Sequence, residues 1–314
     1  MKKVYDGIIG LAIGDAMGVP FEFKSRQEIA KKPVVTMRGY GTHNQPIGTW
    51  SDDTSLTLAL MDSIAEKRQI VYTDIMDRFS NWLMYNDYTA TGEVFDVGNS
   101  TSRAILNYGH GMDPLECGGV SEYENGNGSL MRILPIAYYL QKRSNLTMEY
   151  QMEIVHNISG LTHRHPISLI GCGIYINIAI ILLENKLSLY ETVEYAIKAA
   201  IGFYENRAWK DVNAYLRLKD LPSFLKLTES EIRSSGYIVH TLEAALWCLL
   251  NTNTYAECVL KAVNLGDDTD TVGAVAGGLA GIYYGTDQIP KEWLTALAKK
   301  QYIEELCIKF QMLE

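Results

Sequence analysis

The chain has 314 residues, of which 47% are hydrophobic, so it can bury a full core and is not intrinsically disordered. Its 28 basic and 37 acidic residues give a net charge of −9, which argues against a broad surface for binding nucleic-acid phosphates. Only 8 prolines accompany 26 glycines, a balance that favours long helices with glycines in loops or at close helix contacts.

The predicted elements begin with a helix over residues 1–18, whose glycines recur on one face where another backbone can approach: Gly7, Gly10, Gly14 and Gly18. Its start weakly resembles a signal peptide, but Asp6 and Asp15 interrupt the apolar stretch, so we reject that interpretation. Pro20 ends the helix and a loop follows to Trp50. Ser51 then caps a second helix with apolar residues at helical spacing.

Helical patterns continue to the end of the chain, over residues 73–85, 100–108, 130–141, 149–160, 167–183, 189–203, 239–250, 255–264, 272–284 and 292–310. Residues 86–129 are too long for a simple connection, so we expect a functional loop there, and 204–236 form a polar segment expected to be mobile. Only 34–37 alternate like a strand. We predict one all-α domain over 1–314, a single compact orthogonal helical bundle of ten or more helices.

Composition also indicates the cellular compartment and whether a segment of the chain spans a membrane. The five cysteines form no CxxC pair and none has a histidine at metal-ligand spacing, which indicates a reduced, cytoplasmic protein without disulfides or structural zinc. Residues 167–183 carry no charge, but they are at the short limit for a membrane span and contain Asn177. We therefore expect a buried central helix and no membrane contact.

Two acidic clusters stand out, at 48–54 and at 266–271, and each opens a predicted helix. Alone, each is an ordinary capping run, because aspartates stabilise the positive end of a helix. The second helix carries Gly273, Gly277, Gly281 and Gly285, so one face is bare backbone. If the glycine faces bring the helix starts together, up to five carboxylates meet: Asp52, Asp53, Asp267, Asp268 and Asp270.

Carboxylates at such short distances repel one another, so some must be protonated or a cation must lie between them. Ligands that are all oxygen indicate a hard divalent ion, Mg²⁺ or Mn²⁺, rather than zinc. Two bridged ions suit the number of ligands, and such a pair binds hydroxyls or positions a water for attack.

The two clusters, in this order and near opposite ends of the chain, resemble the sequence signature of the ADP-ribosylglycohydrolase family. That family includes the dinitrogenase reductase-activating glycohydrolase and the ADP-ribosyl-arginine and ADP-ribosyl-serine hydrolases. Five blocks over nearly the whole chain carry the resemblance: 14–18 with Glu22, 50–54, 126–132, 161–163, and 264–271 running into 277–285. The resemblance implies an all-helical fold of the ADP-ribosylglycohydrolase type with a binuclear Mg²⁺ or Mn²⁺ centre.

By the same resemblance, the metal ligands are Ser51, Asp52, Asp53, Asp268, Asp270 and Thr271, and the ribose hydroxyls next to the scissile bond dock on the ions. Many members of the family have threonine at the position of Ser51, and the serine keeps the hydroxyl group. Asp267 stands where many members carry glycine, so its carboxylate is either outside the ligand set or a cap. Glu22 matches a glutamate near the metals that acts as a base or a gate. Asp15 more simply secures helix packing.

Further residues are predicted to bind substrate. The glycine-flanked turn at 126–129 leads into the helix predicted from Leu130, and such a turn offers free N–H groups to a pyrophosphate. Residues 96–99 resemble a loop that meets the ADP-ribosyl group, although an Asx turn explains them equally. His163 matches a substrate-contacting histidine, against the alternative of a helix cap. The predicted set is Asp96, Gly98, Asn125, Gly126, Asn127, Gly128, Ser129 and His163.

The leading hypothesis is a metal-dependent hydrolase that removes ADP-ribose from a modified side chain or small molecule by cleaving the bond at ribose C1″. A carboxylate, Glu22, Asp53 or Asp96, moves the proton in a reaction with an oxocarbenium-like transition state. A second hypothesis is an ADP-ribose-binding or immunity protein against an ADP-ribosyltransferase, with little turnover. A third is a hard-metal hydrolase of another substrate. We expect a monomer, and the loops 23–47 and 86–124 to frame the leaving group.

Overall fold

Helices dominate the chain, as the scarcity of prolines and of alternating apolar patterns predicts. A computed structural model describes residues 4–312, so residues 1–3 of the helix predicted over 1–18 lie outside them. Within that range fifteen α-helices and no β-strand form: two isolated bridges pair Gly119 with His163 and Gly126 with Tyr237, and residues 34–37 form no strand. The all-α prediction is confirmed. In chain order, α1 to α15 are Val4–Gly18, Arg26–Ala30, Asp52–Lys67, Tyr72–Tyr85, Asn99–Gly109, Pro135–Gln141, Met148–Gly160, Pro166–Glu184, Leu189–Glu205, Leu221–Leu225, Ile238–Leu250, Tyr255–Asn264, Thr269–Tyr284, Lys291–Ala296 and Lys300–Gln311.

The helices α1 and α13 run antiparallel with their backbones in contact along a glycine seam. Gly10 faces Gly277, Gly14 faces Gly273, and Gly18 lies against the first turn of α13. A Cβ atom at any of these five positions would lie closer than 3 Å to a backbone atom of the partner helix, so no larger residue fits without a shift. The two predicted glycine faces therefore meet each other.

Asp15 of α1 joins the start of α3 to this seam. Its carboxylate accepts hydrogen bonds from the backbone N–H of Ser51 at 2.9 Å and of Thr54 at 3.0 Å, and from the Thr54 hydroxyl. These bonds satisfy N–H groups that have no partner inside their own helix. At the start of α13, the Thr269 hydroxyl donates to the carbonyl of Gly18 at 2.8 Å. The N-termini of α3 and α13 thus lie together at the C-terminal end of α1.

The most apolar helix, α8, lies in the core. By length and composition, Val4–Phe21 and Pro166–Glu184 could each cross a membrane, yet 89% and 78% of these windows are buried inside the protein. α8 packs against α6, α7, α9, α11 and α13, so the expectation of a buried central helix is confirmed. All five cysteines are buried as free thiols.

Two predicted helices are wrong in their bounds. The helix expected over 130–141 begins only at Pro135, because a proline has no N–H to donate to Met131 and is tolerated only in the first turn. The helix expected over 292–310 breaks between Ala296 and Lys300. There the N–H of Ala298 donates to the carbonyl of Gly48 at 3.0 Å, and this tertiary contact overrides the local helical preference.

The segment 204–236 was expected to be polar and mobile, but it is packed onto the core. It contains the 3₁₀ stretch Lys210–Lys219 and buries Tyr215 and Phe224. The Tyr215 hydroxyl donates to the carbonyl of Ile167 at 2.8 Å, which attaches the segment to the start of α8. Its few apolar residues are spaced too irregularly to give a helical pattern, so the sequence alone does not reveal this packing.

The glycine seam generates a prediction about stability. Gly10→Ala should destabilise the fold by about 1–3 kcal/mol, because the methyl group would overlap the backbone of α13 near Gly277. Gly202→Ala in α9 is the matched control, since nothing lies within 4 Å of its added Cβ, and it should stabilise by about 0.5–1 kcal/mol. Urea unfolding measures both. Equal stabilities for the two variants would contradict a tight seam.

Candidate active site

Acidic residues cluster where α3 and α13 begin. Ser51 is the N-cap of α3, and Asp52 and Asp53 form its first turn. Asp268 is the N-cap of α13, and Asp270 lies in its first turn. Asp53 and Asp270 are fully buried. Both predicted acidic clusters therefore lie at helix starts, and the glycine seam brings them together.

The carboxylates form two overlapping groups. Oxygen atoms of Asp15, Asp53 and Asp270 lie within 4.8 Å of one another, and so do oxygen atoms of Glu22, Asp268 and Asp270. Asp270 belongs to both groups. The two groups therefore adjoin each other and share one carboxylate.

Hydroxyl groups complete the first group. The Ser51 hydroxyl donates to Asp53 Oδ2 at 2.8 Å, and the Thr271 hydroxyl contacts the same oxygen at 3.5 Å. Asp52 is buried and lines the same cleft as Asp268 and Thr271. All six residues of the predicted ligand set thus lie around one point.

Three carboxylate oxygens at this point are buried without a hydrogen-bond partner: Asp53 Oδ1, Asp268 Oδ1 and Asp270 Oδ2. Asp15 differs from them, because both of its oxygens accept hydrogen bonds from α3. Buried carboxylates without a partner are costly unless a cation or a proton neutralises them. An all-oxygen donor set with free lone pairs fits a hard divalent cation.

The electrostatics of the metal-free chain agree with this fit. Burial, together with the charge of neighbouring carboxylates, raises the pKa of Asp52, Asp53 and Asp270 well above the usual range. Burial and the charge of Asp268 raise the pKa of Glu22 to about 8, and burial and the charge of Glu22 raise the pKa of Asp96 to about 7. The cluster therefore retains protons until a cation replaces them.

A second polar group borders the carboxylates on the side of the loop after α1. Glu22, His43 and Asp96 each offer one ligand atom within 4.8 Å of the others, and His43 Nε2 contacts the Glu22 carboxylate directly. The His43 ring lies between two aromatic rings, with its centroid 5.9 Å from that of Phe23 and 5.1 Å from that of Phe95. His43 thus holds Glu22 at the edge of the cluster.

A cleft of about 260 Å³ opens over the cluster. Its walls come from α3, α5, the loops on both sides of α5, and the starts of α11 and α13. The lining residues are Glu22, Asp52, Asp96, Gly98, Asn99, Ser100, Thr101, Tyr123, Gly126, Asn127, Gly128, Met131, His163, Gly236, Asp268 and Thr271.

The turn at 126–128 forms one wall and is tied to the carboxylates. The Asn127 side chain donates to Asp268 Oδ2 at 2.8 Å and to the Thr241 hydroxyl at 2.9 Å. A Cβ atom on Gly128 would lie 2.9 Å from Cε1 of His163, so a glycine is needed beside that ring. Burial, with the charge of Arg132, lowers the pKa of His163 to about 3, so this imidazole is neutral at physiological pH.

Comparison with known proteins assigns the chain to a family. The sequence matches the ADP-ribosylglycohydrolase family over residues 1–314. The chain belongs to this family. It is 31% identical to the ADP-ribosylarginine hydrolase Tri1 of Pseudomonas putida, over 98% of this chain and 77% of that one. It is 32% identical to the ADP-ribosyl-[dinitrogen reductase] glycohydrolase of Rhodospirillum rubrum, over 95% and 91% of the two chains.

A solved structure described as an ADP-ribosylglycohydrolase-related protein complex also superposes on the chain. It has a TM-score of 0.76 and 30% identity, and the match covers 99% of this chain and 98% of that one. The fold is therefore that of the ADP-ribosylglycohydrolase family, and the protein is a hydrolytic enzyme of this class.

The substrate residues that the family resemblance implied do not all line the cleft. Asp96, Gly98, the turn 126–128 and His163 do so. The Ser129 side chain lies behind the wall, where its hydroxyl accepts a hydrogen bond from the Ser159 hydroxyl at 2.9 Å. The Asn125 side chain also turns away from the cleft and accepts a hydrogen bond from the Ser168 hydroxyl at 3.1 Å. The turn does not lead directly into a helix either, so no helix N-terminus supports it.

Asp267 lies outside the cluster, although its sequence neighbours are within it. Its side chain is exposed, and its backbone has φ = +60°, in the left-handed region. Its carbonyl accepts from the N–H of Phe23 at 2.7 Å, and its N–H donates to the carbonyl of Lys24 at 2.8 Å. The backbone conformation explains why glycine is suitable here, and the exposed carboxylate belongs to neither of the two carboxylate groups.

Sequence reasoning missed several cleft residues. The Thr101 hydroxyl is buried without a partner beside Gly128, and Tyr123 stands 96% exposed at the rim. His43 and Gly236 reach the site from separate loops. None of them belongs to a motif block, so only the fold reveals them.

The conformation of Asp267 predicts that Asp267→Gly stabilises the protein by up to about 1 kcal/mol in urea unfolding, because glycine adopts a positive φ without strain. Its stabilisation by added Mg²⁺ should equal that of the wild type. The neighbouring variant Asp268→Asn should lose most of the Mg²⁺-dependent stabilisation. A reversed pattern would place Asp267 in the ligand set.

The raised carboxyl pKa values predict that the metal-free protein loses stability as the pH rises from about 4 to about 8. Unfolded carboxyl groups titrate near about 4, so the folded state binds more protons in this window and its advantage is lost as they leave. Thermal unfolding in EDTA measures this slope. Glu22→Gln removes one titrating group, and its slope should be smaller.

Added Mg²⁺ should restore stability mainly at the upper end of that pH window, since a cation binds the ionised cluster of the folded state. A wild-type slope that equals the Glu22→Gln slope would contradict the raised pKa of Glu22.

Proposed function

We propose that the protein is a metal-dependent ADP-ribosyl hydrolase that releases ADP-ribose by cleaving the N- or O-glycosidic bond at ribose C1″. Three buried carboxylate oxygens without a hydrogen-bond partner, on Asp53, Asp268 and Asp270, carry this proposal. Membership of the ADP-ribosylglycohydrolase family supplies the ligand class.

Two divalent ions, Mg²⁺ or Mn²⁺, would be held by the six clustered oxygen donors: Ser51, Asp52, Asp53, Asp268, Asp270 and Thr271. The overlap of the two carboxylate groups at Asp270 supports two ions rather than one. Hard oxygen ligands favour these metals over zinc. When bound, the ions would supply Lewis-acid stabilisation and orient the ribose hydroxyls and a water molecule.

The chain itself would bind the substrate and move the proton. Glu22 and Asp96 lie next to each other at the open edge of the cluster, and their raised pKa values suit proton transfer near neutral pH. Asp53, which is fully buried, is a less accessible candidate for this role. Neutral His163 and the turn 126–128 would orient the ligand from the opposite wall.

Among the linkages, ADP-ribosyl-arginine is the first that we propose. The Pseudomonas putida relative is named an ADP-ribosylarginine hydrolase. The Glu22 and Asp96 carboxyl groups at the open edge offer hydrogen-bond acceptors to a guanidinium leaving group, and their ionised forms attract its positive charge more than a neutral hydroxyl. Phe23, which is 68% exposed beside His43, adds an aromatic face on which a guanidinium can stack.

Calorimetric titration with free ADP-ribose tests ligand class and metal site together, because it requires no choice of linkage. We expect binding in the presence of Mg²⁺ and a large loss of affinity after EDTA treatment. Absence of binding in both conditions would refute the proposal. A panel of ADP-ribosylated arginine and serine peptides then identifies the linkage by release of ADP-ribose.

The variants Asp53→Asn and Asp270→Asn, alone and combined, should lower turnover by about 100-fold or more, since each removes a charge from the metal site but keeps the side-chain volume. Asp267→Asn is the matched control: it removes an exposed carboxylate one position before Asp268 and three before Asp270, and it should retain wild-type turnover. Circular dichroism checks the folding of each variant. A double variant with the wild-type rate would exclude the mechanism.

A further inference from the structure

Arg132 is a fully buried arginine without an acidic partner. Within residues 4–312 no carboxylate lies close enough to form an ion pair with it. Its Nη1 donates to the carbonyl of Gly128, its Nη2 donates to the carbonyl of Ile158 at 3.2 Å, and its Nε has no partner. The guanidinium carbon lies 5.0 Å from the centroid of the Phe79 ring.

This charge persists at physiological pH. Burial lowers the pKa of Arg132 to about 10, which still leaves the guanidinium protonated near neutrality. A buried cation held only by carbonyl groups is unusual, because the attraction of a carboxylate ordinarily offsets the loss of hydration. If Arg132 served only to bridge two carbonyl groups, a neutral hydrogen-bond donor would be sufficient.

The charge lies directly behind the floor of the cleft. Gly128, whose carbonyl it holds, and Met131 both line the cleft. The positive charge lowers the pKa of His163, and the charge of Asp52 raises the pKa of Arg132, so the guanidinium interacts electrostatically with both walls.

The cleft needs such a charge for an anionic ligand. Its lining includes four acidic residues, Glu22, Asp52, Asp96 and Asp268, and neither lysine nor arginine. His163 is neutral. Arg103 lies near the rim beside Tyr123, but it is 61% exposed and paired with Glu124 at 2.6 Å, so solvent screens it. A diphosphate entering this cleft therefore finds no cationic side chain at its surface.

We propose that Arg132 is the buried counter-charge for the diphosphate of the ligand and acts through the turn 126–128 rather than by contact. The inference depends on the proposed function, because it takes ADP-ribose as the ligand. Arg132 is a positioning residue: it fixes the Gly128 carbonyl and polarises the turn. The Asn127 N–H donates to the carbonyl of Gly236 at 3.0 Å, so the N–H groups of Gly126 and Gly128 are those that the turn would present to the phosphates in a positive potential.

The test separates charge from hydrogen bonding. Arg132→Lys keeps the charge but offers fewer directed donors, whereas Arg132→Gln keeps a planar donor and removes the charge. Arg103→Gln is the matched control for an exposed arginine near the rim. Calorimetry with ADP-ribose in Mg²⁺ gives Kd, and steady-state kinetics on an ADP-ribosylated peptide gives kcat and KM.

We expect Arg132→Gln to raise Kd and KM at least 10-fold with kcat within about 3-fold of the wild type. Arg132→Lys should stay within about 3-fold in all three constants, and Arg103→Gln should be unchanged. Equal losses in the lysine and glutamine variants, or a fall in kcat alone, would overturn the inference in favour of a structural strut. Absence of ADP-ribose binding by the wild type would refute the proposed function instead.

A second measurement does not depend on the variants folding. In EDTA, where bound metal cannot contribute, inorganic pyrophosphate should raise the melting temperature of the wild-type protein. Inorganic sulfate at equal ionic strength is the control and should have a smaller effect. No stabilisation by millimolar pyrophosphate would overturn the inference.

Discussion

The direct contact of two helix backbones is the constraint on which the rest of the structure depends. α1 and α13 approach so closely that only glycine fits at the crossing, and this approach brings the end of one helix to the start of the other. Asp15 then attaches α3 at the same place through the N–H groups of its first turn. Three chain segments far apart in sequence are thereby held within a few ångströms, and the carboxylates that two of them carry have no space to separate.

This crowding opposes stability and serves function. Carboxylates held together in a buried site repel one another, and the fold tolerates them because hydrogen bonds and packing elsewhere compensate. Asp15 has its charge satisfied by α3, so it belongs to the scaffold, whereas Asp53, Asp268 and Asp270 keep free oxygens for a ligand. Asp15 thus differs from the proposed metal ligands in the hydrogen bonds that its carboxylate accepts.

Much of this could be predicted from the sequence because the signals are local. The sequence predicts helices from their periodicity and from capping residues at their starts, such as Ser51 and Asp268. Glycines repeated along one face predict where two helices come into contact. The family resemblance predicted that the two acidic clusters form one site. Tertiary contacts account for what was missed. Pro135 and the bond from Ala298 to Gly48 set helix ends, while Thr101 reaches the cleft, and His43 reaches Glu22, from segments that carry no motif. The side chains of Asn125 and Ser129 show that membership of a motif does not fix the direction in which a side chain points.

The glycine seam also has a consequence for biosynthesis. Gly277 is synthesised 267 residues after Gly10, so the seam cannot close until α13 has left the ribosome. Until then α1 remains an apolar helix without its main partner, and the acidic clusters stay apart. Nascent chains truncated before residue 269 therefore lack the two-cluster site altogether. The site at the start of α3 thus waits for α13, a helix made more than 200 residues later.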